Sequence, residues 1–227
     1  MKRFILVGYI LTILAMCGSY AAAHDEKDHD KTTPPGTRPL AVLKRFPVAP
    51  EFYCAEAAQL IRNGVIEKYG EEEWAAVVMA HELHQHVGIY TMLGAKMGVR
   101  ARELLNAPTR AVHVIVETGS EPPLACKIDG LQASLGSTLA QKLIEVPEES
   151  EPRVAAVFEY GDKRIRLSLR PEYKKKVQRI IQTAIKKYGN LTPAYFHEVE
   201  DRSFGVWADF DRRDIFVVEQ MPAIREK

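Results

Sequence analysis

Three of the seven histidines lie within one short stretch, His81-Glu82-Leu83-His84-Gln85-His86. The helical zinc-protease motif H-E-x-x-H requires a second histidine four residues after the first, and Gln85 occupies that position here. His86 lies five residues after His81 and would point away from the helix face that His81 occupies. The spacing therefore argues against this class of metalloprotease.

The pair His84 and His86 has the spacing H-x-H, which places the two side chains about 200° apart on an α-helix. Alternate side chains converge only where the backbone is extended or forms a loop. If the two imidazoles act together, a helix from Glu72 must end near His84 and the next must begin near Gly88. Gly88 suits such a break, because glycine accepts the unusual backbone angles of a helix junction.

The residues around this pair resemble the hallmark of the FmdE-like family, which takes its name from one of the formylmethanofuran dehydrogenase subunits. Residues 84–98 are similar to the family pattern H-x-H-x-G-x-Y-x-x-L-G-x-x-M-G, and Cys126–Gln132 to the pattern C-x-x-D-G-I-Q. Ser137 departs from the family, because many members carry a second cysteine there. The resemblance covers approximately residues 54–170 and implies an α+β core, often dimeric, in which the two motifs meet at a metal or active site.

Two imidazoles and a thiolate, from His84, His86 and Cys126, form a ligand set that suits Zn²⁺, with Ni²⁺, Fe²⁺ and Cu also compatible. Three protein ligands leave one position for water or a substrate, which is the pattern of catalytic zinc sites. A bound metal would also keep the thiol deprotonated near neutral pH. We therefore predict a divalent transition metal, with zinc as the best match, and an unidentified small-molecule ligand.

Two further residues are candidates for catalysis together with Cys126. Asp129 follows Cys126 by three residues and would share its face if this segment is helical. Its carboxylate could be a fourth ligand, an acceptor that orients a histidine, or a general base. Tyr90 either lines the cleft with its hydroxyl or packs in the core. His81, in contrast, is the weaker member of the histidine cluster.

The first segment has the features of a secretory signal peptide. Lys2 and Arg3 precede an apolar run that ends at about Met16, and small residues follow to Ala23. The run is shorter than the roughly 20 residues that a membrane-spanning helix needs. Cleavage after residues 1–23 predicts a secreted or periplasmic protein without stable membrane insertion.

The remaining chain divides into a flexible arm and one domain. Residues 24–50 are rich first in His and Asp and then in Pro, which favours a flexible arm, and residues 51–227 have globular character. The whole chain has 31 basic and 30 acidic residues, a net charge of +1. Nucleic-acid-binding domains normally carry a basic excess, so we expect no nucleic-acid partner.

The hydrophobic pattern predicts mixed helices and a small, largely antiparallel sheet, hence an α+β fold. A hairpin is expected around Gly161-Asp162. The predicted helices cover 54–69, 72–84, 88–105, 171–188 and 192–201, the predicted strands 111–117, 153–160, 163–170 and 214–219, and residues 124–144 are helical or turn-like.

Three functions are compatible with these residues. The first is an exported FmdE-like metal protein that binds a small ligand and acts on it, with a homodimer as the assembly that the family suggests. The second is a non-catalytic, periplasmic metal-handling protein. In the third, Cys54 and Cys126 form a disulfide in an oxidising compartment, and the domain is an interaction module.

Overall fold

The computed structural model describes residues 42–119, 121–147 and 152–222, within which seven α-helices and five β-strands form. These residues belong to one unit that extends from Pro35 to Lys227. The predicted signal peptide, residues 1–23, and residues 24–41 of the predicted arm lie outside the described residues. In the described part of the chain, no helix combines the length and the apolar composition that crossing a bilayer requires.

The helices lie close to the predicted positions. Their bounds are α1 (Ala55–Arg62), α2 (Val65–Tyr69), α3 (Glu71–His84), α4 (Ile89–Leu105), α5 (Lys127–Leu135), α6 (Pro171–Tyr188) and α7 (Pro193–Asp209). The first predicted helix is divided in two at Asn63 and Gly64, where Gly64 has a φ of 79°. Gly70, with a φ of 91°, ends α2 as expected. Helix α7 continues past the predicted end at residue 201.

The five strands form one sheet with the order β2-β1-β3-β4-β5. Their bounds are β1 (His113–Glu117), β2 (Ile144–Glu145), β3 (Ala155–Tyr160), β4 (Lys163–Leu169) and β5 (Phe216–Gln220). Only the pairing of β1 with β2 is parallel, and β3 and β4 form the expected hairpin. The short strand β2 was not predicted. The α+β prediction is confirmed.

One face of the sheet belongs to the hydrophobic core. Val114 is paired with Phe158, and Phe158 with Ile165, so that the three side chains lie on the same face and are buried. Helix side chains of α3, α4 and α5 join them in one core cluster. His113 lies on the other face, 2.9 Å from Glu159 and 3.1 Å from Glu145. It thus links three strands and has a structural role.

Helices α4 and α5 cross with their backbones in contact, and glycines make this contact possible. A Cβ on Gly94 would collide with the Lys127 carbonyl group, and a Cβ on Gly130 with the Thr91 carbonyl oxygen. One turn further along α4, a Cβ on Gly98 would collide with the Ser134 hydroxyl. This crossing fixes α5, and with it Cys126 and Asp129, against the start of α4.

Candidate functional site

The H-x-H pair lies at the junction between α3 and α4. Helix α3 ends at His84, and α4 begins after Gly88, as the spacing predicted. The left-handed residue of this junction is Gln85, with a φ of 62°, while Gly88 is extended, with a φ of −118°. The expectation that Gly88 supplies the unusual backbone angles was therefore wrong. The turn brings the ring centroids of His84 and His86 to 4.3 Å.

Asp129 holds His84 in a defined orientation. Its Oδ2 lies 2.7 Å from His84 Nδ1, with the histidine side chain only 13% exposed. An ionised carboxylate can only accept a hydrogen bond, so the proton of a neutral His84 ring is on Nδ1 and the lone pair is on Nε2. His84 Nε2 is buried and has no hydrogen-bond partner among the described residues. Asp129 was predicted as a site residue, and its contact is with the histidine.

Cys126 lies immediately before α5 and is partly buried. Burial raises the pKa of its thiol, and the negative charge of Asp129 raises it further. The charge of Cys126 in turn contributes to the raised pKa of Tyr195, whose larger cause is burial. The thiol therefore lies in the same neighbourhood as Asp129 and Tyr195. Cys54 and Cys126 are both free, so they form no disulfide with each other.

The predicted ligand set is not assembled into a metal-binding arrangement. Within residues 42–119, 121–147 and 152–222, no group of three or more His, Cys, Asp or Glu side chains is placed to hold a metal ion. The two imidazoles nevertheless have features that fit a metal, because they are adjacent and one presents a buried, unpartnered nitrogen. The three-ligand set His84, His86 and Cys126 stays a prediction.

His86 is neutral near neutral pH. Burial lowers its pKa and the neighbouring His84 lowers it further, while Glu200 and a hydrogen bond with the His84 backbone act in the opposite direction. The ring lies edge-on to Phe196, with centroids 5.7 Å apart. A neutral imidazole is the form that binds metals or accepts a hydrogen bond.

Helix α7 forms one wall of the site, and reasoning from the sequence missed this contribution. Besides Phe196, it contributes Glu200, whose Oε1 accepts a 3.3 Å hydrogen bond from the Val87 amide, and the buried Tyr195. Phe196 and Glu200 are four residues apart, a helical spacing that could have signalled a shared face. His197, on the same helix, is 78% exposed and paired with Asp201, consistent with the structural role expected for it.

Tyr90 and His81 support the site from the protein interior. Burial raises the pKa of Tyr90 to about 12, with a smaller contribution from Tyr195, so its phenol stays protonated. His81 is only 7% exposed, and its Nε2 lies 3.3 Å from the carbonyl oxygen of Gly88. Burial lowers the pKa of His81 to about 4. The neutral ring therefore donates to this carbonyl group, and it is separate from the pair His84 and His86.

Comparison with known proteins identifies the family. The model described as FmdE, molybdenum formylmethanofuran dehydrogenase operon, matches residues 83–202, which is more than half of the chain. The chain belongs to the FmdE family. The matched residues include both sequence motifs and the part of α7 that lines the site.

One matching solved structure is an FmdE-like protein of the tungsten formylmethanofuran dehydrogenase type from Syntrophus aciditrophicus. It is 19% identical in sequence, with a TM-score of 0.42, and the match covers 70% of this chain and 76% of that chain. No curated protein matches.

Proposed function

We propose that this FmdE-family chain is an exported protein that binds a divalent transition metal, preferably zinc, through His84, His86 and Cys126. The open coordination position would take a small-molecule ligand. The observation that carries this proposal is the state of His84. Its Nδ1 is held by Asp129, while its Nε2 is buried, unpartnered and beside the ring of His86.

This arrangement has the form of a carboxylate–histidine pair that prepares an imidazole for a metal. In metalloproteins, a ligating histidine commonly donates its second N–H to a carboxylate, which fixes the tautomer and raises the basicity of the ligating nitrogen. Of the three roles considered for Asp129, the 2.7 Å contact supports the orienting one. A metal bound here would supply Lewis acidity.

Cys126 has to lose its proton to act as a ligand. Because burial and Asp129 raise the pKa of the thiol, the free chain holds it protonated at neutral pH. Metal binding therefore releases a proton and strengthens as the pH rises. The described fold allows Cys126 to approach the two imidazoles by small movements only, since α5 is packed against α4 through glycine contacts.

Elemental analysis of the protein recovered from its exported form tests this proposal. We expect about one zinc per chain, and loss of most of it in Cys126→Ser and in His86→Ala. His197→Ala is the matched control, because His197 is exposed and outside the site. We expect no loss in His197→Ala and little in His81→Ala.

Two results would contradict the proposal. One is the same metal content in Cys126→Ser as in the unchanged chain, which would remove the thiolate from the ligand set. The other is a thiol count showing that Cys54 and Cys126 are oxidised to a disulfide in the exported protein, which would support the interaction-module interpretation. Mass spectrometry of the mature N-terminus tests cleavage after residue 23 in the same preparation.

A further inference from the structure

Thr91 has a buried hydroxyl group with no hydrogen-bond partner among the described residues. A helical threonine usually bonds its hydroxyl to the carbonyl group one turn earlier, and buried polar groups are rarely left unpartnered. Thr91 is fully buried in the first turn of α4. Its free hydroxyl is the second buried, unpartnered polar atom at this junction, after His84 Nε2.

Gly88 shows where these groups converge. A Cβ built on Gly88 would lie 3.2 Å from Thr91 Oγ1, 3.4 Å from His86 Nε2 and 3.8 Å from His84 Cδ2. The backbone of Gly88 is extended, a conformation that any residue adopts. Glycine is therefore not required here by the backbone, and its effect is to leave space in front of three polar side chains.

We propose that the space beside Gly88 is a ligand subsite in which the Thr91 hydroxyl binds the oxygen of a small, neutral carbonyl or hydroxyl compound. The inference rests on the proposed function, because it concerns the ligand of the same pocket. Thr91 would be a positioning residue for that ligand, next to the nitrogen atoms of His84 and His86.

The charges around the subsite select a neutral ligand. Those that act on His86 and Cys126 include the carboxylates of Glu200 and Asp129. Both would repel an anion. A divalent ion bound by the Cys126 thiolate beside Asp129 would have its charge balanced by these two groups, so it would not reverse this preference.

The aromatic wall limits the size of the ligand and makes room for an apolar part. Phe196 lies edge-on to His86, and the Phe196 and Tyr195 rings are 5.4 Å apart, also edge to face. A compact molecule with one oxygen and a short carbon group fits a site with a single free hydroxyl and aromatic neighbours.

Acetamide and acetate are suitable probes, because they are nearly equal in shape and differ in charge. Each is titrated into the purified chain, with and without zinc, while NMR follows the backbone amides of Gly88 and Thr91. We expect acetamide to bind at least ~10-fold more tightly than acetate. Thr91→Val should weaken acetamide binding by ~10-fold, while Thr91→Ser, which keeps the hydroxyl, should retain it.

Gly88→Ala provides a second variant, since it fills the space without removing a polar group. It should weaken acetamide binding at least as much as Thr91→Val, with Gly205→Ala as the control in open space. No binding of acetamide, equal binding of acetate, or unchanged binding in Thr91→Val would each overturn the subsite.

Metal content measured on the same samples separates the two proposals. If the chain holds zinc but acetamide binding is insensitive to Thr91→Val, the subsite is wrong and the metal site stands. If the chain holds no zinc but acetamide binding is lost in Thr91→Val, the metal site is wrong and the subsite stands.

Discussion

His81 Nε2 lies 3.3 Å from the carbonyl oxygen of Gly88, so the last turn of α3 is tied to the residue that precedes α4. This contact closes the turn that carries His84 and His86. Because His81 is nearly fully buried, only its neutral form fits, and the hydrogen bond requires the proton on Nε2. The junction therefore depends on a histidine that is not itself a candidate ligand.

This burial predicts a specific loss of stability in acid. The pKa of His81 is about 4 in the folded chain, against 6.5 for a free histidine. Between these values the unfolded chain binds more protons, so the free energy of unfolding falls as the pH decreases from about 6.5 to 4. The expected loss is about 3 kcal/mol from this group. Urea unfolding at several pH values measures it.

His81→Gln is the matched variant for this experiment, because glutamine can donate to the Gly88 carbonyl group but does not titrate. The acid loss in this variant should be smaller than in the unchanged chain by approximately the same amount. An identical pH dependence in the two chains would show that His81 is accessible to protons in the folded state.

Asp129→Asn should weaken zinc binding by about 10- to 100-fold. The amide keeps the size of the side chain but no longer requires the proton of His84 to be on Nδ1. Competition with a metal-sensitive dye measures the affinity. Asp201→Asn is the control, since Asp201 makes the same kind of contact, 3.2 Å long, with the exposed His197. Equal affinities in the two variants would exclude an orienting role for Asp129.

The crossing of α4 and α5 predicts opposite effects for two glycines within helices. Gly94→Ala places a methyl group against the Lys127 carbonyl group and should lower the free energy of unfolding by at least about 2 kcal/mol. Gly205→Ala, in α7, meets no atom within 4 Å and should raise it by about 0.5–1 kcal/mol. Thermal and urea unfolding measure both. Equal destabilisation would show that the two helices are less tightly packed at this crossing.

The sequence predicted the position of the histidine turn because the geometry of H-x-H leaves few choices. Two side chains separated by one residue meet only outside a helix, so α3 had to end at His84. The residue that makes the turn was assigned wrongly. Glycine is the usual choice for a positive φ, but Gln85 has that conformation, and Gly88 is small for reasons of space.

Contacts between distant parts of the chain could not be predicted in this way. Strand β2 has two residues and exists through its parallel pairing with β1, which local sequence does not reveal. The contact of Val87 with Glu200 joins residues 113 positions apart. The aromatic wall on α7 follows from that tertiary contact, and helical periodicity alone indicates only that α7 is a helix.

A buried ion pair gives a last prediction about stability. Lys96 Nζ lies 2.5 Å from Glu73 Oε1, with both side chains fully buried, and Arg212 contacts the other oxygen of Glu73 at 3.0 Å. Lys96→Met leaves the Glu73 carboxylate buried with only Arg212 as a cationic partner in this cluster, so the free energy of unfolding should fall by about 3 kcal/mol. Adding Glu73→Gln should recover part of this loss, because the uncompensated charge is removed. Lys187→Met, which removes an exposed lysine from an ion pair, should cause no measurable change in urea unfolding. A similarly small effect of Lys96→Met would show that water reaches this pair.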